Sequence, residues 1–309
     1  MRTQTQKELV TGLKTAENFY FTQFELVHEG NYEISDADWN YKDVPHLKHI
    51  HQLVEGYCGY MGDDVNCVII VQKMFGMKFP GTLSIYQSGD KRQTYFLTLF
   101  WFVLIVETTY ESLGPNRTRV LTTYAIGTRQ RLLTLLFPLA KLALKRNYDN
   151  LMSGDIPMRE RRGELRNWGY TFKGDNKNYS FYETTLIGET NVCPPKANSN
   201  WVKHQIPLSS LKTSKEVFIG RADEFGVVIK RNEGKFGFFP RLCPHEGADL
   251  SSNCNGHKSF CPWHGRGFSP LLSIDASVLD EKQAELGNDK IKFHFKDNLA
   301  SVEVRSSLV

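Results

Sequence analysis

The feature that most constrains the fold is the stretch CPHEGADLSSNCNGHKSFCPWHGRGF, at residues 243–268. It contains two Cys–His pairs, Cys243-x-His245 and Cys261-x-x-His264, with fifteen residues between them. Thiolate and neutral imidazole are ligands for zinc, copper and iron–sulfur centres. Zinc fingers and ribbons usually place their two cysteines together and their two histidines together, whereas here each pair mixes the two types. Mixed pairs favour a [2Fe–2S] cluster in which two cysteines bind one iron and two histidines bind the other.

The residues around these pairs are typical of loops that enclose a cluster. Pro244 and Pro262 follow the two cysteines and stiffen the chain. Gly247, Gly265 and Gly267 allow backbone N–H groups to approach the bridging sulfides. Because neutral imidazoles replace two anionic thiolates, such a cluster has a higher potential than an all-cysteine ferredoxin.

The chain has 309 residues, enough for two domains. The clearest break is NVCPPKANSN at residues 191–200, where a Pro-Pro pair followed by small polar residues indicates a linker. After it, residues 201–309 contain short β-type runs separated by Gly, Asp and Asn, which predict a small all-β domain. Residues 1–190 then form a separate N-terminal domain.

Composition and charge exclude several classes of protein. The 40% hydrophobic and 23% charged residues are typical of a soluble globular protein, and a dispersed net charge of +4 gives no basis for binding nucleic acid. The N-terminus lacks the apolar segment of a secretory signal, and six cysteines in such a chain do not indicate a disulfide scaffold. We therefore expect a cytoplasmic protein. The longest apolar run, residues 95–106, is too short to span a bilayer and indicates a buried strand.

The N-terminal domain mixes helices and strands. Residues 65–127 predict several strands with a hairpin turn at residues 114–117. Residues 128–152 have helical periodicity with a kink at Pro138, and the basic run at residues 159–166 indicates a solvated helix face. This order predicts an α+β fold, in which a curved antiparallel sheet wraps around a long closing helix and leaves a cavity between them.

The stretch DVPHLKHIH contains one Asp and three His in nine residues. A His-rich helix end is more often polar filler than a metal site. On an ideal helix His46 and His49 share a face, whereas His46 and His51 lie about 140° apart. Spacing alone therefore favours His46 with His49 as a metal-binding pair.

The pattern C-x-H followed by C-x-x-H closely resembles that of a Rieske domain, and the resemblance covers residues 201–309. It implies that Cys243, His245, Cys261 and His264 bind a [2Fe–2S] cluster. Rieske domains of respiratory complexes carry an additional cysteine in each loop, where this chain has Ala248 and Trp263. The domain is therefore more similar to the ferredoxin and oxygenase types.

The N-terminal domain resembles the catalytic domain of Rieske non-haem iron oxygenases, which carries D-x-x-H-x-x-x-x-H and has a helix-grip (START-like) fold. Asp43, His46 and His51 match this pattern. The resemblance implies that the two histidines bind mononuclear Fe(II), that Asp43 connects the two metal centres, and that a carboxylate on the closing helix is the third ligand. Asp155 occupies the comparable place, with Asp149 as the alternative. Convergence of His46 and His51 requires a distorted or broken helix.

Two departures from the oxygenase pattern are visible. In those oxygenases the Rieske domain is N-terminal, whereas here the order of the domains is reversed. A basic residue usually follows the first cluster histidine, and this chain has Glu246 there.

The resemblance implies an oxygenase that receives electrons from an external NAD(P)H-dependent reductase, directly or through a ferredoxin. It would activate O₂ at Fe(II) and hydroxylate, desaturate or demethylate a hydrophobic small molecule. The same resemblance implies a homotrimer. The alternative is an N-terminal domain that only binds an apolar ligand, fused to a Rieske electron carrier or redox sensor with no second metal.

Overall fold

The computed structural model describes residues 5–51, 54–61, 65–74, 77–89, 91–99, 101–173, 175, 189–195, 201–253 and 257–306. The chain divides into two compact units, Met1–Glu164 with Gly174–Leu186, and Leu165–Lys173 with Ile187–Val309. This division differs from the predicted boundary, because residues 165–173 and the start of the predicted linker belong to the second unit. Residues 196–200 of that linker lie outside the described residues.

Seven antiparallel strands form the sheet of the first unit: β1 (Tyr20–Gly30), β2 (Val54–Met61), β3 (Val65–Met74), β4 (Met77–Gly89), β5 (Arg92–Leu99), β6 (Phe102–Gly114) and β7 (Arg117–Thr128). Its helices are α1 (Gln6–Glu17), α2 (Ile34–Lys42), α3 (His46–His49), a 3-10 helix (Arg131–Leu136) and α4 (Phe137–Asn167). The strand order is β1-β7-β6-β5-β4-β3-β2, so the first and last strands in sequence, β1 and β7, pair with each other.

Helix α4 packs its apolar side on the curved sheet. Phe24, Tyr124 and Ile126 project from β1 and β7, and Tyr148 and Met152 of α4 pack against them. Burial of these side chains is the main force that holds helix and sheet together. The predicted α+β class and helix-grip architecture are confirmed.

The prediction of one strand at residues 95–106 was wrong. Strand β5 ends at Leu99 and β6 begins at Phe102, and these two residues pair across a tight hairpin. Trp101 in the turn is 68% exposed. A turn that contains an aromatic residue gives no polar break in the sequence, so the two strands appeared as one apolar run.

The hairpin turn at residues 114–117 is confirmed, because Gly114 ends β6 and pairs with Arg117 at the start of β7. The predicted kink at Pro138 is not found. The six residues before α4 form a 3-10 helix, and Pro138 stands in the first turn of α4, where a missing N–H costs nothing.

The second unit is almost entirely β. Its strands are β8 (Thr171–Phe172), β9 (Val192–Cys193), β10 (Val202–Pro207), β11 (Glu216–Ile219), β12 (Val227–Asn232), β13 (Lys235–Pro240), β14 (Ser259–Phe260), β15 (Gly267–Phe268), β16 (Leu272–Asp275), β17 (Gln283–Gly287), β18 (Ile291–Lys296) and β19 (Leu299–Val304). Besides the last residues of α4, its described residues contain the short α-helix α5 (Leu208–Thr213) and 3-10 turns at Ser251–Asn253 and Ala276–Asp280.

Two four-stranded sheets, β10-β19-β18-β17 and β11-β12-β13-β16, make up most of this unit. Phe236, Phe238, Phe293 and Val302 belong to the buried cluster that the two sheets share. Strands β14 and β15 pair with each other and flank the second Cys–His loop in sequence. The predicted small all-β domain is confirmed. Among the described residues of the whole chain, no helix has both the length and the hydrophobicity that crossing a bilayer requires.

Candidate metal centres

The two Cys–His loops of the second unit have the same backbone geometry. The carbonyl of Cys243 accepts a hydrogen bond from Gly247 N–H at 3.0 Å, and that of Cys261 accepts one from Gly265 N–H at 2.8 Å. Both glycines have positive φ, 88° and 68°, which other residues adopt only with strain. The repeated sequence C-P-x-x-G therefore folds twice into the same tight loop.

These loops bring the four predicted cluster ligands together. Cys243, His245, Cys261 and His264 are all buried. The Nδ1 atoms of His245 and His264 lie 3.2 Å apart, close to the separation of about 3.4 Å for two nitrogen ligands of one tetrahedral metal. The Sγ atom of Cys261 lies 4.0 Å from Nδ1 of His264. A hydrogen bond from Cys261 lowers the pKa of the Cys243 thiol despite burial, which favours the thiolate. This donor set fits a [2Fe–2S] cluster.

A carboxylate lies beside the outer nitrogen of one of these histidines. Glu246 is completely buried, and its Oε1 lies 3.8 Å from Nε2 of His245. The same oxygen accepts a hydrogen bond of 2.9 Å from Nδ2 of Asn191. Such contacts fix the orientation of a ligand imidazole. The sequence showed Glu246 only as a departure from a pattern, and Asn191 stood in a predicted linker, so neither was predicted to act here.

In the first unit, His46, His51 and Asp155 converge. Nε2 of His51 lies 2.8 Å from Oδ1 of Asp155, and Nε2 of His46 lies 3.3 Å from the same oxygen. Each of the three residues offers a ligand atom, and these atoms all lie within 4.8 Å of one another. Helix α3 ends at His49, so the chain leaves the helix before His51. The break in the helix turns His51 toward the same point as His46.

The three side chains fit a divalent metal of the iron type. Both ring nitrogens of His46 are buried, and neither makes a well-formed hydrogen bond. The separations of 2.8 and 3.3 Å lie close to the separation of about 3.0 Å for neighbouring ligands at right angles around a metal with bonds of about 2.1 Å. Two imidazoles and one carboxylate with open positions are typical of a non-haem Fe(II) site.

Asp43 lies behind His46. It is completely buried, and its Oδ2 lies 3.7 Å from Nδ1 of His46. Burial lowers the pKa of His46, but the neighbouring carboxylates of Asp155 and Asp43 outweigh burial and raise this pKa to about 10. Burial raises the pKa of Asp155, and its bonds to His46 and His51 with the nearby charge of Arg159 hold that pKa well below its usual range. The protein alone therefore carries balanced charges at this site.

The two alternative metal ligands, His49 and Asp149, lie outside this group. His49, the partner of His46 that spacing alone favoured, is exposed. Asp149, the alternative third ligand, is also exposed. The structure therefore brings Asp155 and His51 to His46, and places His49 and Asp149 outside the group.

The prediction that the basic run at residues 159–166 is solvated was wrong. Arg159 and Arg162 are completely buried. The Nε of Arg159 donates to Oδ1 of Asn40 at 2.8 Å, and its Nη2 lies 3.6 Å from Oδ2 of Asp155. Arg162 donates to Oδ1 of Asp36 at 2.9 Å. The spacing of Asp155 and Arg159, four residues apart on a helix, was the signal that could have identified this pair.

A cavity of about 510 Å³ lies between the sheet and α4 in the first unit. Most of its wall is apolar, with contributions from Val44, Leu83, Phe102, Ile126 and Leu144 among others. Asp43, His46, His51 and Asp155 form part of the same wall. A volume of this size is typical of sites that hold small apolar molecules. A molecule in the cavity would therefore contact the candidate metal ligands.

Comparison with known proteins identifies the C-terminal domain. Residues 201–284 match the family model of the Rieske [2Fe-2S] domain. The match includes all four of the predicted cluster ligands, and it implies a [2Fe–2S] cluster and a role in electron transfer. None of the curated protein sequences compared matches the chain.

Several solved structures are similar to the N-terminal part. The Zhui aromatase/cyclase from Streptomyces sp. R1128 is 16% identical, with a TM-score of 0.41 over 46% of this chain and 96% of that one. A START superfamily protein from Mycobacterium smegmatis is 11% identical, with a TM-score of 0.37 over 45% and 97%. Norcoclaurine synthase from Thalictrum flavum is 11% identical, with a TM-score of 0.30 over 39% and 78%. Likeness at this level carries no inference about function.

Proposed function

We propose that this protein is a Rieske-type oxygenase component that oxidises a hydrophobic small molecule. The observation that carries the proposal is the convergence of His46, His51 and Asp155 in the wall of an apolar cavity. A chain that also contains a Rieske domain has a source of single electrons for such a site.

The residues that would hold each metal centre follow from the donor sets. Cys243, His245, Cys261 and His264 would hold the [2Fe–2S] cluster, which supplies electrons one at a time when bound. His46, His51 and Asp155 would hold Fe(II), which supplies O₂ activation beside a bound substrate.

The chain itself would position both the substrate and the ligands. The apolar wall of the cavity binds a hydrophobic molecule and excludes water from the reacting end. Arg159 and Asp43 contact the outer atoms of Asp155 and His46, and so hold these ligands in place. In this proposal Asp43 is a positioning residue and, as in similar oxygenases, would connect the two metal centres.

The proposed partners are O₂, a hydrophobic small molecule, and an external NAD(P)H-dependent reductase that acts directly or through a ferredoxin. Hydroxylation, desaturation and demethylation are all compatible with the site. The homotrimer and the cytoplasmic location stay predictions from the sequence.

One observation favours the alternative of an apolar-ligand-binding domain fused to an electron carrier or redox sensor. The charges of His46 and Arg159 balance those of Asp43 and Asp155 without a metal. Under this alternative the three residues form a structural ion-pair cluster in the wall of a binding cavity. The two functions differ in one measurable quantity, the iron content of the first unit.

The test is the ratio of iron to acid-labile sulfide in anaerobically purified protein supplied with Fe(II). The proposed oxygenase contains about three irons for two sulfides, and the His46→Ala variant contains about two. His49→Ala is the matched control, because His49 is exposed and close in sequence; it keeps the wild-type ratio. A wild-type ratio of two irons to two sulfides would support the electron-carrier alternative and end the oxygenase proposal.

A further inference from the structure

Five large apolar side chains are exposed at the start of the long helix of the first unit. They are between 44% and 76% exposed, and they are Leu132, Leu135, Leu136, Leu139 and Leu142. Their spacing places them along one side of the 3-10 helix and of α4. A stripe of this kind normally faces a protein core, but here it faces outward. We call these five residues the leucine face.

The leucine face is surrounded by positive charge. Arg129, Arg131, Lys141, Lys145 and Arg146 are all exposed, and residues 112–148 contain no Asp or Glu. Arg129 lies 3.8 Å from Glu17. The other four cations have no acidic partner within the described part of the chain. Leucines flanked by unpaired cations are typical of helices that lie on an anionic lipid surface.

The leucine face adjoins the cavity. Ala143 of α4 lines the cavity, is also exposed, and lies within one helical turn of Leu139 and Leu142. On the other side, the ring of Phe102 contacts that of Phe137 with centroids 6.5 Å apart. Trp101, beside Phe102, is exposed in the β5–β6 turn. Trp is a residue that favours the interface between lipid and water.

We propose that the leucine face docks the protein peripherally on an anionic membrane surface. Self-association through the same face would bring together two sets of four cations that have no acidic partner of their own among the described residues, and this repulsion opposes a dimer. An anionic bilayer matches both the apolar and the charged parts of the surface. If the proposed function holds, an apolar substrate could also pass between the bilayer and the cavity at this point, but the docking itself does not depend on that function.

The experiment is co-sedimentation of the full-length holoprotein with vesicles of phosphatidylcholine, alone or with about a quarter phosphatidylglycerol. We expect binding to the anionic vesicles that weakens as salt is added. Leu135→Ser with Leu139→Ser lowers the partition coefficient about tenfold or more, because two exposed leucines are lost. Lys141→Gln with Lys145→Gln lowers it about fivefold for each charge removed.

Val27→Ser is the matched control. Val27 is 56% exposed on β1 of the same unit, outside the leucine face, and its substitution leaves vesicle binding unchanged. Absence of binding to anionic vesicles overturns the proposal, as does binding that the two leucine substitutions do not weaken. A smaller mass by light scattering in the leucine variant, without vesicle binding by the wild type, would mean that the face joins two copies of the chain. The iron-to-sulfide ratio is measured separately, so failure of docking and failure of the oxygenase proposal are distinguishable.

Discussion

Arg159 connects several buried groups around the candidate iron site. Its Nη1 donates to Nε2 of His28 at 2.8 Å, and its guanidinium lies 4.4 Å from the centre of the Tyr41 ring. A buried charge costs several kcal/mol unless it is paired and hydrogen-bonded. Here Asn40 and His28 accept its hydrogen bonds and Asp155 supplies the opposite charge. The arginine therefore ties the candidate metal ligand to the packed interior of α4 and the sheet.

These bonds also determine the form of His28. An arginine only donates, so Nε2 of His28 must accept, and its Nδ1 carries the proton and donates to the Tyr148 hydroxyl at 2.5 Å. Burial and the charge of Arg159 lower the pKa of His28 to about 3. His28 is therefore neutral in the folded protein at every pH in the physiological range.

A pH dependence of stability follows from this histidine. In the unfolded chain its pKa is about 6.5, so below that pH the unfolded state binds more protons and stability falls. Between pH 7 and pH 5, His28 should account for a loss of about 2 kcal/mol in the free energy of unfolding. Urea unfolding at both pH values gives the change in the free energy of unfolding with pH for the wild type and for His28→Gln. The difference between these two slopes measures the contribution of His28.

The control for His28 is His49→Gln, a substitution of an exposed histidine in the same unit. A change of slope in His28→Gln that is absent from His49→Gln assigns the effect to the buried histidine. Equal slopes for His28→Gln and the wild type would show that His28 titrates normally in the folded protein.

At the scale of elements, the approach of α4 to the segment after α3 depends on Gly154. A Cβ atom at this position would lie 2.5 Å from Cγ2 of Ile50 and 3.1 Å from Cε1 of His51. Gly154→Ala should therefore push His51 away from Asp155 and lower the amount of mononuclear iron, with a loss of about 1–3 kcal/mol in stability from overpacking. Iron and sulfide analysis with urea unfolding measures both effects.

Gly12→Ala is the matched helical control for Gly154. Gly12 lies in α1, and a Cβ there meets no atom within 4 Å. Its substitution should stabilise the protein by about 0.5–1 kcal/mol and leave the iron content unchanged. A wild-type content of mononuclear iron in Gly154→Ala would mean that His51 is not a ligand, or that the segment after α3 can shift without displacing it.

The cluster loops depend on a glycine in the same way. Gly247 has φ 88°, and a Cβ there would overlap Cδ1 of Leu165. Gly247→Ala should lower the [2Fe–2S] content, measured as acid-labile sulfide and visible absorbance. Gly234 has a similar φ of 77° with no atom within 4 Å, so Gly234→Ala should cost about 1 kcal/mol and keep the cluster. An equal content of acid-labile sulfide in the two variants would show that the lack of a side chain at Gly247 is not required for cluster binding.

At the scale of the whole molecule, each unit has its own buried apolar cluster, and only the second contains the Cys–His loops. We expect calorimetry to resolve two unfolding transitions. Removal of the cluster by reduction and chelation should lower one transition temperature by at least about 4 °C and leave the other in place. Phe238→Ala, in the core of the second unit, identifies which transition belongs to that unit. A uniform shift of both transitions would contradict this expectation.

The parts that could be predicted from the sequence depend on neighbours along the chain. The motif C-P-x-x-G determines the backbone geometry of each cluster loop within five residues, and the alternation of apolar residues predicts the strands. The basic run at residues 159–166 was assigned to solvent because charge is normally exposed. Its two buried arginines are stabilised by Asp155 on the same helix and by Asp36 and Asn40 on α2, and no local pattern identifies the two partners on α2.

The sequence by itself therefore determined the presence of two units, the α+β class and the Rieske domain with its two C-P-x-x-G loops, because each depends on residues close together in the chain. Helical spacing favoured His49 and the oxygenase pattern named His51, and only the tertiary structure decided that His51 meets His46, since this depends on where α3 ends. The same holds for Asp155, which is 104 residues from His51 and reaches it only because α4 packs across the sheet. Contacts across such a separation are determined by the packing of whole elements, which the spacing of residues along the chain does not predict.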